Sequence, residues 1–399
     1  MKKLISLLAI LLISFSVMHA QNKQVLRLDG TSITANQIDS TVQYLMNAAK
    51  IQGLGLAVIN KQKTVFIKSY GFRNKPKNEL LDTASIMYGA SLSKAVFGYI
   101  SMKLVQDKLL DLDKPLYQYL PKPIADYEYF SDLKSDDRWK LITARMCLSH
   151  TSGLPNLRWF NPITGEEDSL GVMKIYLTPG TKYAYSGEGL RLLQLIVEEI
   201  THQTLEDLAI QYVFKPFNMT RTGYIWHNSF GDNNVAVGHY NNGTIDIKKK
   251  RTVGVAGGSM VTTIADFSKF VENMMQKKGL NKALFNEMIA PQIAIHSKTQ
   301  FPPITTETTN ENDDIHLSYG LGWGVFDCKY GRAFFKEGNG DSWRNYNINF
   351  IDKGISIIIL VNSENGEKIF QPLIESIIGK SFIPWKWNGY IPYSAPINP

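Results

Sequence analysis

Between positions 35 and 49 the apolar residues Ile38, Val42, Leu45, Met46 and Ala49 recur at three- and four-residue intervals, the period of an amphipathic helix. The pattern then shortens. GLGLAVIN and TVFIKSYGF flank the polar KQK and predict two strands of a hairpin. Near the other end, RAFFKEG, YNINFID and ISIIILVNSEN predict three more strands, with Asp352-Lys353-Gly354 as the turn between the last two. A closing helix is predicted over 367–378. The middle of the chain reads as helical, with segments over 91–109, 189–200, 204–212 and 265–275, whereas 297–316, rich in Thr, Asn and Asp, predicts a long loop.

Two strands early, three late and helices between predict an α/β, two-lobed fold. One antiparallel sheet is built from both chain ends and flanked by terminal helices, and a mostly helical lobe is inserted. The sheet lobe covers about 21–85 and 317–380 and the helical lobe about 86–316 of a single domain spanning 21–399, with 381–399 as a tail. Functional sites in such folds lie in the cleft between the lobes.

The first 20 residues do not belong to that pattern. Lys2 and Lys3 precede an apolar stretch from Leu4 to Val17, and Met18-His19-Ala20 offers a cleavage end, so 1–20 reads as a secretory signal peptide and the product as periplasmic or secreted. The stretch is short for a membrane span, and no other segment reaches about 18 apolar residues, so no stable span is expected once the leader is removed. Of the formal charge of +7, two units leave with the leader. The remainder is spread out except for IKKKR, which ends at Arg251, lacks aromatic interleaving and does not point to nucleic acid. The only cysteines, Cys147 and Cys328, lie in apolar or aromatic surroundings that favour free thiols over a bridge.

The chemistry concentrates at GASLSKAVFGYISMKLVQ. Ser91 or Ser93 could simply start the helix, since serine favours such positions. Ser91 is also three residues before Lys94, on the same helical face. A lysine in a low-polarity cleft loses its proton readily and can act as base for the hydroxyl, while amides at the helix start add partial positive charge. The spacing S-x-x-K is weak by itself and recurs at Ser131 and Lys134, but no apolar helical run follows that copy.

The stretch GASLSKAVFGYISMKLVQDKLLDLDKPLYQYLP, followed by ITARMCLSHTSGLPN, resembles the serine beta-lactamase and penicillin-binding protein superfamily, most closely its class C branch with DD-peptidase and esterase relatives. PGTKYAYSGEGLRLLQLI, KPFNMTRTGY, AGGSMVTTIADFSKF and YGLGWGVF continue the resemblance in the family's order. It implies Ser91 as nucleophile, Lys94 as its paired lysine and Tyr185 as the proton-shuttling tyrosine; from the residues alone, Tyr183 is an equal candidate. It also places Lys336-Glu337-Gly338 on the substrate-binding strand, with the amides of Ser91 and Asn339 as the oxyanion hole. His150 becomes a structural turn residue. Two departures bear on substrate: Gly187 stands where Asn is usual, and Glu337 where Thr or Ser meets a substrate carboxylate.

The expected activity is therefore acyl transfer to a serine from a small-molecule substrate (a beta-lactam, a peptidoglycan peptide or an ester), with no cofactor or metal. Beta-lactamase or D-Ala-D-Ala carboxypeptidase chemistry leads, an esterase or D-amino-acid amidase follows, and a non-catalytic cell-wall ligand-binding protein is the remaining alternative. GDSW at Gly340 and the glycine-rich GLGWGV lack the surroundings that would give them separate functions. The second reads as the packed start of a strand. Oligomeric state is not legible.

Overall fold

The protein is described by a computed structural model over residues 24–394, so the expected leader lies outside the described residues. Among the described residues, two distant parts of the chain build one nine-stranded sheet. In chain order its strands are β1 (Gly53–Asn60), β2 (Lys63–Asn74), β3 (Glu79–Leu80), β4 (Ile293–Ala294), β5 (Ser318–Tyr319), β6 (Gly324–Cys328), β7 (Gly331–Gly340), β8 (Trp343–Phe350) and β9 (Ile355–Val361). Across the sheet they lie β4-β5-β6-β7-β8-β9-β1-β2-β3, each pair antiparallel. The two chain ends meet at β9 and β1, in register from Ser356 opposite Ile59 to Val361 opposite Leu54.

Apolar runs such as ISIIILV arise because this sheet is covered on both faces. Successive side chains alternate in direction, so Ile358 and Leu360 enter one core while Ile357, Ile359 and Val361 enter the other. The second core is closed by the terminal helices α1 (Ala35–Ala48) and α5 (Phe370–Ile378), through Ile38, Val42, Leu373 and Ile377 among others. Helix α1 starts at a reciprocal cap in which Thr34 and Gln37 bond each other's backbone N–H. The first core belongs to the inserted lobe, whose long helices are α2 (Leu92–Gln106), α3 (Gly187–Thr201) and α4 (Ile264–Met275).

All five expected strands and the expected helices are present, with small differences. Helix α2 begins at Leu92 rather than Ser91 and ends at Gln106. The segment expected as one helix over 204–212 is a short α-helix, Leu205–Ala209, continued by a wider π turn, Ile210–Phe214. Three of the other four strands have two residues each, too few to carry a readable period, and the fourth, β6, begins in the glycine-rich GLGWGV read as a strand start. Cys147 is buried, Cys328 is half-buried, and both are free thiols.

The glycine-rich GLGWGV is a packing device. A Cβ on Gly98 of α2 would lie 2.9 Å from the Leu321 carbonyl, and one on Gly322, at φ +90°, would lie 3.3 Å from Gly98 Cα. The chain between β5 and β6 therefore runs directly under α2. Replacing Ile358 with Ala would leave a cavity between sheet and helices. The variant is expected to lose about 2–5 kcal/mol, read as a lower denaturant midpoint at unchanged slope.

Candidate active site

The sequence before α2 makes a tight approach. Met87 and Tyr88 pair with Thr262 and Val261, and Gly89 N–H donates to the Met260 carbonyl at 2.9 Å. Ala90 then turns the chain with φ +46°, a left-handed conformation that alanine rarely adopts. The N–H groups of Leu92, Ser93 and Lys94 donate to the carbonyls of Gly89, Ala90 and Ser91 at 3.0, 3.1 and 3.1 Å. Such i→i−3 bonds tighten the first turn and stack residues i and i+3.

That tightening brings the side chains of Ser91 and Lys94 together, with Lys94 Nζ donating to Ser91 Oγ at 3.0 Å. Ser91 occupies the cap position, yet its hydroxyl makes no bond to the helix backbone. Ser93 has the structural role, since its Oγ donates to the Ala90 carbonyl and accepts the Met260 N–H at 3.0 Å. Of the two serines, only Ser91 presents its hydroxyl to the lysine.

Lys94 is 3 % exposed, and its ammonium also donates to the Gly257 carbonyl. Its Nζ lies 4.9 Å from the centroid of the Tyr185 ring, and Lys336 Nζ lies 4.9 Å from the same centroid. Burial pushes the Lys94 ammonium below the ordinary lysine range; Tyr185 opposes that and the Lys336 charge adds to it. For Tyr185, burial alone would raise the phenol, but the charges of Lys336 and Lys94 outweigh it and bring the phenol below its usual range. Burial would lower Lys336 too, but Glu337 and Tyr185 more than compensate, leaving it above the ordinary range. Two buried lysines thus end up on opposite sides of their normal value.

Tyr183, the other tyrosine candidate, is pushed well above the usual phenol range by burial, and it packs against Tyr319 and Trp387. His150 lies behind Tyr185, ring centroids 4.3 Å apart, and its Nδ1 accepts the Ser186 N–H at 3.1 Å. Burial, then the two lysine charges, hold its pKa far below the usual range, so it is a neutral acceptor that fixes the turn carrying Tyr185.

The far wall is the end of β7. Its pairing with β6 stops at Phe335, opposite Gly324, while its pairing with β8 continues to Gly340. The edge over 336–340 therefore borders the cleft. Gly338 allows this: a Cβ there would lie 2.5 Å from the Gly89 carbonyl and 3.1 Å from Leu92 N. Lys336 Nζ donates to the Glu337 carbonyl at 2.9 Å and lies 3.5 Å from the Glu337 carboxylate, which also accepts from Gln300 Nε2. Glu337 is 5 % exposed, so its charge is partnered inside the wall rather than bare in the cleft. Asn339 is exposed and donates to the Tyr390 hydroxyl at 3.2 Å.

Several contributors carry little signal in the sequence. Asn345 Nδ2 donates at 3.0 Å to both the Tyr88 and Gly338 carbonyls, tying the approach to Ser91 onto β7. Its one visible sign is an N-x-N-x-N alternation among the aromatic and aliphatic residues of the strand; Asn345, Asn347 and Asn349 are all fully buried. Gln300 has no local signal at all, and Gly257 has only its place in the AGGSMVTTIADFSKF stretch noted above. Gly187, the departure noted above, is the first residue of α3, and a Cβ there would lie 2.4 Å from the Asn156 carbonyl. Residue 187 cannot hold an asparagine while that loop keeps its course.

The remaining motifs are structural. Ser342 of GDSW is fully buried and donates to Asp246 at 3.0 Å, and Ser131, in an exposed stretch, donates to the Glu128 carbonyl at 2.8 Å. No group of His, Cys, Asp and Glu suited to a metal ion occurs among the described residues.

A large antiparallel sheet, an inserted helical lobe and a serine–lysine pair at the first turn of a cleft helix define the beta-lactamase and transpeptidase class of fold. The chain belongs to the beta-lactamase family, which matches it over residues 38–378. It is similar to protein flp of Staphylococcus aureus (strain MRSA252), 21 % identical over 268 residues, covering 64 % of this chain and 52 % of that protein. Penicillin-binding protein 4* of Bacillus subtilis (strain 168) is 22 % identical over 339 residues, 77 % of this chain and 67 % of that one. The chain thus spans about half the length of the flp proteins it matches. Among solved structures, an octameric penicillin-binding protein homologue from Pyrococcus abyssi superposes with a TM-score of 0.69 at 18 % identity, covering 89 % of this chain and 79 % of that one. The D-alanine carboxypeptidase AmpC from Burkholderia cenocepacia gives 0.66 at 17 % identity, covering 86 % of this chain and all of the other.

The close approach at Gly187 generates a prediction. Gly187→Asn is expected to lower the melting temperature by several degrees, because the new Cβ displaces the Asn156 backbone. A melt unchanged from the parent would show that the loop yields freely.

Proposed function

We propose that the protein is an exported serine hydrolase that works through an acyl-enzyme on Ser91. The observation that carries the reading is the 3.0 Å bond between Lys94 Nζ and Ser91 Oγ, made by a lysine that burial drives towards its neutral form. Neutral Lys94 takes the Ser91 proton as Oγ attacks the carbonyl carbon of the substrate. The developing oxyanion is held by the N–H groups of Ser91 and Asn339. Tyr185 passes a proton to the leaving group as the carbonyl reforms. In the second half, water attacks the acyl carbon, gives its proton to Tyr185, and Ser91 is released with its own proton restored. No step requires a metal or an organic cofactor.

Within this chemistry, beta-lactam or D-Ala-D-Ala amide bonds are the leading substrates. The penicillin-binding and D-alanine carboxypeptidase names of the relatives support that reading. An esterase or D-amino-acid amidase is the second reading, favoured by Glu337. Its carboxylate is committed to Lys336 and Gln300 and offers no hydroxyl to a substrate carboxylate. A non-catalytic binding role does not explain why a buried lysine would be kept against the hydroxyl of Ser91.

Intact mass after incubation with a penicillin, or with a p-nitrophenyl ester, tests the nucleophile. A covalent adduct or rapid substrate loss is expected in the parent protein and neither in Ser91→Ala. Turnover of both compounds at the parent rate by Ser91→Ala would sink the proposal.

The rate should also follow pH with a definite sign. Lys94 acts as base only when deprotonated, and its pKa lies below the ordinary lysine value of 10.5. Acylation is therefore expected to rise with pH along a limb centred below that value. Because Lys94, Tyr185 and Lys336 interact, the limb belongs to the cluster rather than to one group. A rate that falls as pH rises across this range would contradict the assignment of Lys94 as base.

A further inference from the structure

Two joined loops, the second of them beside Tyr185, expose large apolar side chains. The first, leaving the Asn156–Gly187 contact, carries Trp159, Phe160, Ile163 and Leu170, which are 46 %, 39 %, 54 % and 81 % exposed. The second carries Phe301, 48 % exposed, whose ring centroid lies 5.5 Å from that of Tyr185 in an edge-on arrangement. Single exposed apolar residues need no explanation; five on two joined loops, one of which lies against Tyr185, do.

Both loops are held in place. Ile304 N–H donates to the Pro162 carbonyl at 2.8 Å, joining one loop to the other. Arg158 anchors the first: its guanidinium pairs with Asp132 and donates to the Tyr129 carbonyl, and its N–H meets Glu188 at 3.2 Å. Gln300, next to Phe301, is 3 % exposed; it donates to Glu337 on β7, and its N–H meets the Trp387 carbonyl at 2.9 Å. Phe301 is therefore fixed over Tyr185 by a buried side chain rooted in the substrate-binding strand. The charges beneath it, Lys336 and Glu337, compensate each other, so this part of the cleft offers an incoming group no free charge of its own.

We propose that these loops form an apolar subsite, led by Phe301, for a hydrophobic acyl group of the substrate, either an aliphatic chain of several carbons or an aromatic ring. This rests on the serine hydrolase reading and narrows its substrate class. Each methylene that leaves water for such a surface adds to transition-state and ground-state binding alike, so the preference appears in affinity as well as in kcat/KM.

The test uses the full chain carrying Ser91→Ala, titrated calorimetrically with p-nitrophenyl acetate, butyrate and octanoate. Affinity is expected to rise about tenfold or more from acetate to octanoate, and Phe301→Ala or Trp159→Ala to flatten the rise. Equal affinities along the series would overturn the proposal, as would an octanoate preference that survives both substitutions. A flat series, with phosphatidylcholine vesicle binding lost in Phe301→Ala, would also overturn it and assign the patch to a membrane surface. Because binding is measured without turnover, the two readings fail separately. A parent protein that never acylates, while its Ser91→Ala form still prefers octanoate, would lose the hydrolase and keep the subsite.

Discussion

Everything in the cleft depends on keeping an ammonium group out of water. Lys94 sits under the first turn of α2, bonded to Ser91 and Gly257, with a second buried lysine at the same distance from the Tyr185 ring. Like charges held this close in a poorly solvated site repel by an amount on the order of a few kcal/mol. That cost is reduced by charging the pair unequally. Lys336 has Glu337 beside it and stays charged, whereas Lys94 has only a carbonyl, a hydroxyl and the Tyr185 phenol and gives up its proton early. In the proposed mechanism that difference leaves Lys94 to act as the base, while Lys336 stays protonated and paired with Glu337 beside the same phenol.

The sheet and the helical lobe serve that arrangement by setting backbone distances rather than by contributing many reactive groups. Gly338 lets β7 lie against the Gly89 carbonyl, Gly98 and Gly322 let the chain pass under α2, and Asn345 clamps Tyr88 to Gly338. The left-handed Ala90 between these contacts is a strained residue that the surroundings hold in place. Glu337, a departure from the family pattern, has become part of the same scaffold, since it neutralises Lys336 and through Gln300 steadies the loop bearing Phe301.

Much of this was legible in the chain. Long elements announce themselves, because a two-sided sheet needs continuous apolar runs and terminal helices need an amphipathic period. The pairing of Ser91 with Lys94 followed from helical spacing. Choosing Tyr185 over Tyr183 required the family resemblance, because two tyrosines two residues apart in KYAYSG look alike until their surroundings are known. Residues acting across long sequence separations stayed hidden: Gln300 reaches Glu337 and Asn156 meets Gly187 through contacts that leave no periodic trace. The direction of Glu337 was likewise open, since strand alternation turns it away from Lys336 while the long lysine side chain reaches back to it.

Lys94 and Lys336 are pushed to opposite sides of the ordinary lysine range, and that difference can be measured directly. With lysine carbon-13 labelled at the ε position, the two resonances would be assigned by loss in Lys94→Met and Lys336→Met and followed by NMR across pH. The Lys94 signal is expected to titrate below the ordinary lysine range and the Lys336 signal above it. A Lys94 signal that moves only at or above the ordinary range would mean the lysine stays charged against Ser91, and the proposed activation of that serine would be wrong.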